Sequence, residues 1–314
     1  MPGKYLNGFL AMTLILSVSP VSGAPTGVPI QDGPVRQFGD DGKAIDEAEY
    51  KDGRIHGLRK LYYPGGTLRA EIKYKLGERH GPEQYYFPNG QIKSYIKYKN
   101  GIKHGPYRVY AENGELVDEG TWKNDQLDGI RKIYFPESGR RAEVSYRDGK
   151  NHGTTKDYYP DGQLQISREY KDGKQDGVLK EFYEDGTLQK KVSFIQDLRE
   201  GAYETYHPNG KLQSRANYAN DEREGKYEEF YPLGQQKLKC GYVAGKKDGE
   251  CLMYHENGRI STIWNYRNDV LDGMIREYTD TGVLIHEWRY EDGEKKDYHG
   301  NSSALPSQPE TQRE

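Results

Sequence analysis

Four of the eight histidines, His56, His80, His104 and His152, stand directly before glycines that are spaced 24 residues or twice that apart. Imidazole is the commonest metal ligand and the general base best matched to neutral pH. A zinc site, however, needs three or four ligands converging on one point. The same slot holds Asp128, Asp176, Glu200, Glu224, Asp248 and Asp272 elsewhere in the chain. It therefore reads as a polar turn position repeated along a length, and no metal is expected. Neither a Ser-His-Asp nor a Cys-His arrangement nor an HExxH motif appears. The many acids fall in turns and on strand faces as solubilising charge. The expectation is no catalytic residue, no cofactor and no enzymatic activity. Cys240 and Cys251 are the only two cysteines.

These residues belong to an internal repeat, which organises the whole chain. With the glycine after the polar slot as position zero, the series runs Gly33, Gly57, Gly81, Gly105 and onward to Gly273, always 24 apart. Eleven units fill 33–296 without insertion. Position five is aromatic in each, from Phe38 and Tyr62 to Tyr278. Position seventeen is aromatic in each, from Tyr50 and Tyr74 to Tyr290. Each unit parses into two strands and two turns. Pro-Asn-Gly or Pro-Asp-Gly makes the first turn, as at Pro88-Asn89-Gly90; Asp-Gly or Asn-Gly makes the second, as at Asp172-Gly173. Proline presets φ and glycine supplies positive φ at such corners. Positions thirteen, fifteen and seventeen share one strand face. The zero glycine is expected opposite the aromatic at seventeen, where a missing Cβ leaves room for the ring.

Composition fits a thin structure. Only 33% of the chain is hydrophobic and 30% is charged, yet 28 tyrosines and 38 glycines are present. A tyrosine ring buries area while its hydroxyl stays wet. One hairpin alone is too small to be stable, so neighbouring units must cover one another. The expected fold is all-β: an elongated, twisted, single-layer antiparallel sheet of about eleven 24-residue β-hairpin units.

The string Tyr-x-x-Gly-x-x-x-Gly-x-x-x-x-Tyr-x-x-x-Gly-x-Leu, repeated, resembles the MORN repeat. Its 24-residue spacing and Tyr-x-Pro-Asn-Gly-x-Leu turn look most like the bacterial variant in YwqK-type antitoxin proteins. The resemblance covers 33–296. It implies hairpins laid side by side, with a contour of roughly 100 Å at about 4.8 Å per strand. It also implies inhibition of a toxin by protein–protein contact.

The flanks carry other signals. Lys4, the apolar run at 9–18 (FLAMTLILSV) and Ser22-Gly23-Ala24 read as a signal peptide over 1–24, cut near Gly23 or Ala24. Residues 25–32 read as a linker, and 297–314 as a polar, disordered tail that carries the sequon Asn301-Ser302-Ser303. Export would place the protein in the periplasm. Cys240 sits at position fifteen of one unit and Cys251 at position two of the next, which face each other across adjacent strands. They form either a cross-strand disulfide or a pair of buried thiols.

Departures from the repeat are where a partner could be read. Tyr203 and Tyr227 occupy position two of neighbouring units, and Trp264 and Trp288 occupy position fifteen. Tyrosine and tryptophan are enriched in interface hot spots but serve equally as packing. Glu204 and Glu228 lie in a dense acidic run with Asp197, Glu200, Asp221, Glu222, Glu224 and Glu229. That run is either a solvated edge or a docking patch for a basic partner. Tyr203, Glu204, Tyr227, Glu228, Trp264 and Trp288 are the candidate partner-binding residues. In the turn of unit 5, Glu137-Ser138-Gly139, the glycine is shifted by one, and a local bulge is expected there.

The net charge of −3 gives no general attraction to nucleic acid. The reading is a periplasmic antitoxin or immunity protein that binds one cognate secreted toxin, one to one. The expected toxin class is a type VI secretion effector, with a phospholipase as the first choice. The alternatives are binding to a membrane surface, which interspersed acids disfavour, or an envelope scaffold or adhesion role.

Overall fold

The computed structural model describes residues 31–300. The expected signal peptide, residues 25–30 of the expected linker and residues 301–314 of the expected tail lie outside the described residues. From 33 onward the chain forms one open antiparallel sheet of 30 strand segments. Each segment pairs only with near neighbours in the chain, as Gly57–Tyr62 does with Ala44–Lys51 before it and Leu68–Lys75 after it.

The expected register holds in all eleven units. The zero glycine faces the aromatic at seventeen, as in Gly57↔Tyr74, Gly129↔Tyr146 and Gly273↔Tyr290. The reason for glycine differs from the expectation. Its φ is positive, +95° at Gly57 and +118° at Gly273, a region that strains residues bearing a Cβ. A Cβ at Gly273 would stand 3.0 Å from Cβ of Asn265, and one at Gly81 would stand 3.3 Å from Cβ of Lys73. Those neighbours are at position sixteen of the preceding unit, not the ring at seventeen. The glycine forms a bulge. Tyr50 pairs with Ile55 and Asp46 with Leu61, so the 55–61 side holds two more residues than the 46–50 side. A bulge bends its strand and sharpens the local twist. Repeated in every unit, it lets a single sheet curl around one of its own faces.

A second bulge falls between positions four and five, as at Leu61/Tyr62. Unit 5, where the sequence suggested an added bulge, is the one hairpin without this shift. There Gly129–Phe135 runs one residue longer, and a 3-10 turn, Pro136–Ser138, closes onto Gly139 at φ +66°. The displaced glycine simply moves the corner.

Burial defines the curled face. Positions two, thirteen, fifteen and seventeen are buried or half-buried, most completely in the later units, with Trp264 at 1% and Trp288 at 0% exposure. No second layer covers them among the described residues, so the sheet's own curvature and neighbouring rings must do so. One continuous apolar cluster runs through units 7–11, from Val192 and Tyr203 to Trp288 and Tyr290. A smaller one joins Leu61, Ala70, Ile72 and Tyr85. Between and around the small cluster the same face holds ion pairs: Arg59 with Asp46, Arg131 with Asp118 and Arg168 with Asp157. The Arg131 pair is bidentate, at 3.0 and 2.7 Å, and Asp118 also accepts the Tyr107 hydroxyl at 2.9 Å. Paired and hydrogen-bonded in this way, the charges avoid the cost of isolated burial.

The sheet also runs past its expected end at 296. The strand Glu294–Gly300 pairs with Leu284–Glu291, so residues 297–300 belong to the sheet. Tyr298 stacks on Trp288 with ring centroids 5.6 Å apart, closing the last open ring of the core. At the other end, Pro34 lies in the edge strand Gly33–Phe38. Proline at one edge, with Lys295 and Lys296 at the other, discourages edge-to-edge pairing.

Candidate interaction surface

Four of the six candidate partner-binding residues are core. Tyr203, Tyr227, Trp264 and Trp288 are all buried. The register gives the cause: positions two and fifteen face each other in each hairpin, as in Tyr227↔Cys240 and Cys251↔Trp264, on the face that curls inward. Tyr203 packs on Tyr218 at 5.6 Å between centroids, and Tyr227 meets Tyr242 edge-on at 6.0 Å. Burial pushes Tyr227 well above the usual range, helped by the hydrogen bond it donates to Glu229.

Glu204 and Glu228 point outward but have partners within the sheet. Glu204 accepts from Lys191 at 3.2 Å and from the Tyr206 hydroxyl at 3.0 Å. Glu228 accepts from Gln236 at 3.1 Å and pairs with Arg215. The rest of the acidic run is largely a set of turn staples. At position twenty, Asp197 accepts the backbone N–H of Gln175 at 2.7 Å, and Asp221 that of Arg199 at 2.8 Å. Asp125 and Asp269 do the same for Lys103 and Lys247. The Arg199 N–H, with its guanidinium, holds the Asp221 carboxyl below its ordinary pKa. At position twenty-three, Glu200 and Glu224 accept the N–H groups of Asn220 and Ala244 at 2.8 and 2.9 Å. The solvated-edge reading of these acids therefore fits better than a docking patch.

The histidines fall into the same scheme. His80 and His152 sit against the turn of the following unit, their Nδ1 3.0 Å from Asn100 Oδ1 and 3.2 Å from Asp172 Oδ1. They occupy the acids' structural slot, and no cluster of three or more metal-binding side chains occurs among the described residues. His207 and His255 hold position six, where four other units have tyrosine. There Tyr63, Tyr159, Tyr183 and Tyr231 donate to the carbonyl at position five of the next unit, over 2.7–2.9 Å. Nε2 of His207 and of His255 lies 2.9 and 3.1 Å from the equivalent carbonyls of Phe230 and Tyr278. A carbonyl can only accept, so both imidazoles carry their proton on Nε2.

Cys240 and Cys251 are joined by a disulfide and are each 1% exposed. The bond ties unit 9 to unit 10 inside the large apolar cluster. What remains for a partner is the outward strand positions and the two edges of stacked turns. On the second-turn edge, each turn is stitched to the one before by a backbone bond, such as Gly77 N–H to Ile55 O at 2.8 Å and Gly101 N–H to Arg79 O at 2.9 Å. The edges are thus firm ridges, not loose loops.

Comparison with protein families matches the MORN repeat variant at 55–76, 79–100, 103–124, 151–172, 175–196, 199–220 and 247–268. No curated protein matches the chain. Among solved structures, the chain aligns at 11% identity with a chain of the TcdB2-TccC3-Cdc42 crystal structure, over 81% of this chain and 16% of that one, with a TM-score of 0.17. A chain of the Photorhabdus luminescens Tc holotoxin pore aligns at 11% identity over 85% and 16%, also with a TM-score of 0.17. The chain thus spans about a sixth of these much longer chains, and likenesses this slight say nothing of its function. The unmatched units 1, 5, 9 and 11 keep the glycine-to-aromatic register of the matched ones. The chain is a β-hairpin repeat protein in which seven segments match the MORN repeat variant.

Proposed function

We propose that this protein is an exported antitoxin of the immunity type, binding one cognate secreted toxin and occluding its active or membrane-facing surface. The observation that carries the reading is the division of labour within each unit. One face and the turn staples hold the array together by a rule common to the units. The outward positions and turn edges vary from unit to unit over roughly 100 Å of contour. Such a surface suits recognition of a large, shaped partner. The resemblance to YwqK-type antitoxins supplies the partner class, and the N-terminal leader supplies the compartment, the periplasm. A type VI secretion effector with phospholipase activity is the toxin of first choice.

The test is retention of partners from a lysate of the source cell on the immobilised protein, washed at about 0.15 M salt, where exposed charges still interact over about 8 Å. One stoichiometric secreted enzyme, whose toxicity the protein suppresses on co-expression, is the expected result. Lipid alone, or a diffuse set of envelope proteins, overturns the reading.

A further inference from the structure

Position eighteen, the last residue of each second strand, is occupied in units 1–6 by Lys51, Lys75, Lys99, Lys123, Arg147 and Lys171. All six side chains are exposed, and none makes an ion pair or side-chain hydrogen bond among the described residues. Many other basic side chains of the sheet do have acidic partners, as Arg59, Arg131, Arg168, Lys191 and Arg215 show. Position eighteen faces position twenty-one across the tight turn, and there Arg54, Lys150 and Lys174 add charge beside Lys51, Arg147 and Lys171, while Glu78 offsets it opposite Lys75. Two strands per unit set the rungs about 10 Å apart, so the six cover about 50 Å of the ridge. Like charges at that spacing repel weakly, and nothing in the fold requires them. The same position tolerates Ile195, Ala219 and Val243 in units 7–9.

We infer that this cationic ridge is the docking edge for the protein's partner, and that the partner presents an acidic protein surface. The inference rests on the partner-binding reading above and names the face that serves it. Two features favour a protein over a continuous polyanion or a lipid headgroup layer. Asp52, Asp148 and Asp172 each follow a rung directly, at positive φ on the turn. They interrupt the field, so separate carboxylates fit between them while an unbroken row of phosphates is repelled. The ridge then continues into apolar side chains. Ile195 and Val243 are each 54% exposed, with Leu198 across the turn from Ile195. A strip of cations running into exposed aliphatic residues has the polar and apolar make-up of a protein interface.

The decisive variant is Lys99→Glu, Lys123→Glu, Arg147→Glu and Lys171→Glu together. None of the four has an internal partner to lose, so circular dichroism and melting should be unchanged. Lys180→Glu with Lys226→Glu, two exposed residues away from the ridge, is the control. The probes are a labelled 20-residue poly-glutamate peptide, a 20-nucleotide single-stranded DNA and vesicles containing phosphatidylglycerol. The expected result is peptide binding that weakens about tenfold between low and physiological salt. It should be lost in the fourfold variant and kept in the control. Preference for DNA or vesicles overturns the inference, as does no binding of any probe. Salt-sensitive dimerisation that the fourfold variant abolishes would assign the ridge to a second copy, against Glu112, Glu137, Asp161 and Glu184 on its opposite edge, and would overturn it too. A fourfold variant that still holds and neutralises the toxin leaves the proposed function standing and removes only this edge. A wild-type protein that protects against no toxin removes the function itself.

Discussion

Replacing Cys240 and Cys251 together by alanine tests how local the stability of this array is. The bond closes a short loop, with the two residues 11 apart in sequence. In the chain-entropy model a loop of that size restricts the unfolded chain by about 3 kcal/mol. Both sulfurs lie in the units 7–11 cluster, so loss of the buried atoms adds to the cost. The expected loss is about 3–4 kcal/mol on urea unfolding followed by far-ultraviolet circular dichroism. In a nearest-neighbour array the loss should concentrate where the bond lies. Hydrogen exchange should accelerate at 238–253 and stay unchanged at 57–125. Because the sulfurs are buried, a reductant should open the bond in the wild type only as fast as the sheet itself opens. A variant within about 0.5 kcal/mol of wild type, or rapid thiol alkylation of the native protein after mild reduction, would refute the reasoning.

Three further outcomes follow from the same register. Tyr298→Ala uncovers Trp288 and should cost about 1–3 kcal/mol, with exchange rising first in the last unit; an unchanged melting curve would show that the sheet ends before Tyr298. His207→Phe removes the donor to Phe230 O and should cost about 1 kcal/mol, while His207→Tyr should restore it, since tyrosine makes this bond in other units. Burial pushes Tyr85 and Tyr266 up to about 12, so the folded state holds those protons more tightly than the unfolded chain does. That contribution is fully present below about pH 10 and is lost as pH rises towards 12. Stability should therefore fall steeply in that window, together with a late phase of tyrosinate absorbance; ionisation of every tyrosine near pH 10 in the folded protein would contradict it.

The period made the hairpins, their number and the Gly-to-aromatic register legible, because a strict 24-residue spacing leaves one way to lay strands side by side. It also placed Cys240 against Cys251. The faces were harder to read. Positive φ at the zero glycine cannot be seen in the letter, so the bulge that curls the sheet was mistaken for room for a ring. Without that curl, Tyr203, Tyr227, Trp264 and Trp288 look like side chains on an open sheet and therefore like anchors. With it they become the packed interior. The acids misled for a related reason. Asp197 and Glu200 count as negative charge in composition, but their carboxylates answer backbone N–H groups in neighbouring units, which net charge cannot reveal.

The cationic ridge was within reach of the same periodic reading. Lys51, Lys75, Lys99, Lys123, Arg147 and Lys171 recur as strictly as the aromatics do, but charge compared between halves of the chain dilutes a ladder with every acid nearby. What the letters lack is a way to tell a conserved need of the fold from a free choice at one position. The structure supplies it through partners. Position seventeen is aromatic in every unit, and most of those rings are buried or in ring contacts. Position twenty-three bonds the next turn wherever it is Glu200 or Glu224, and the side chains at position eighteen make no ion pair or side-chain hydrogen bond among the described residues in six consecutive units. In a repeat protein a side chain kept by period alone, without a neighbour to hold it, is the first place to test for a partner outside the chain.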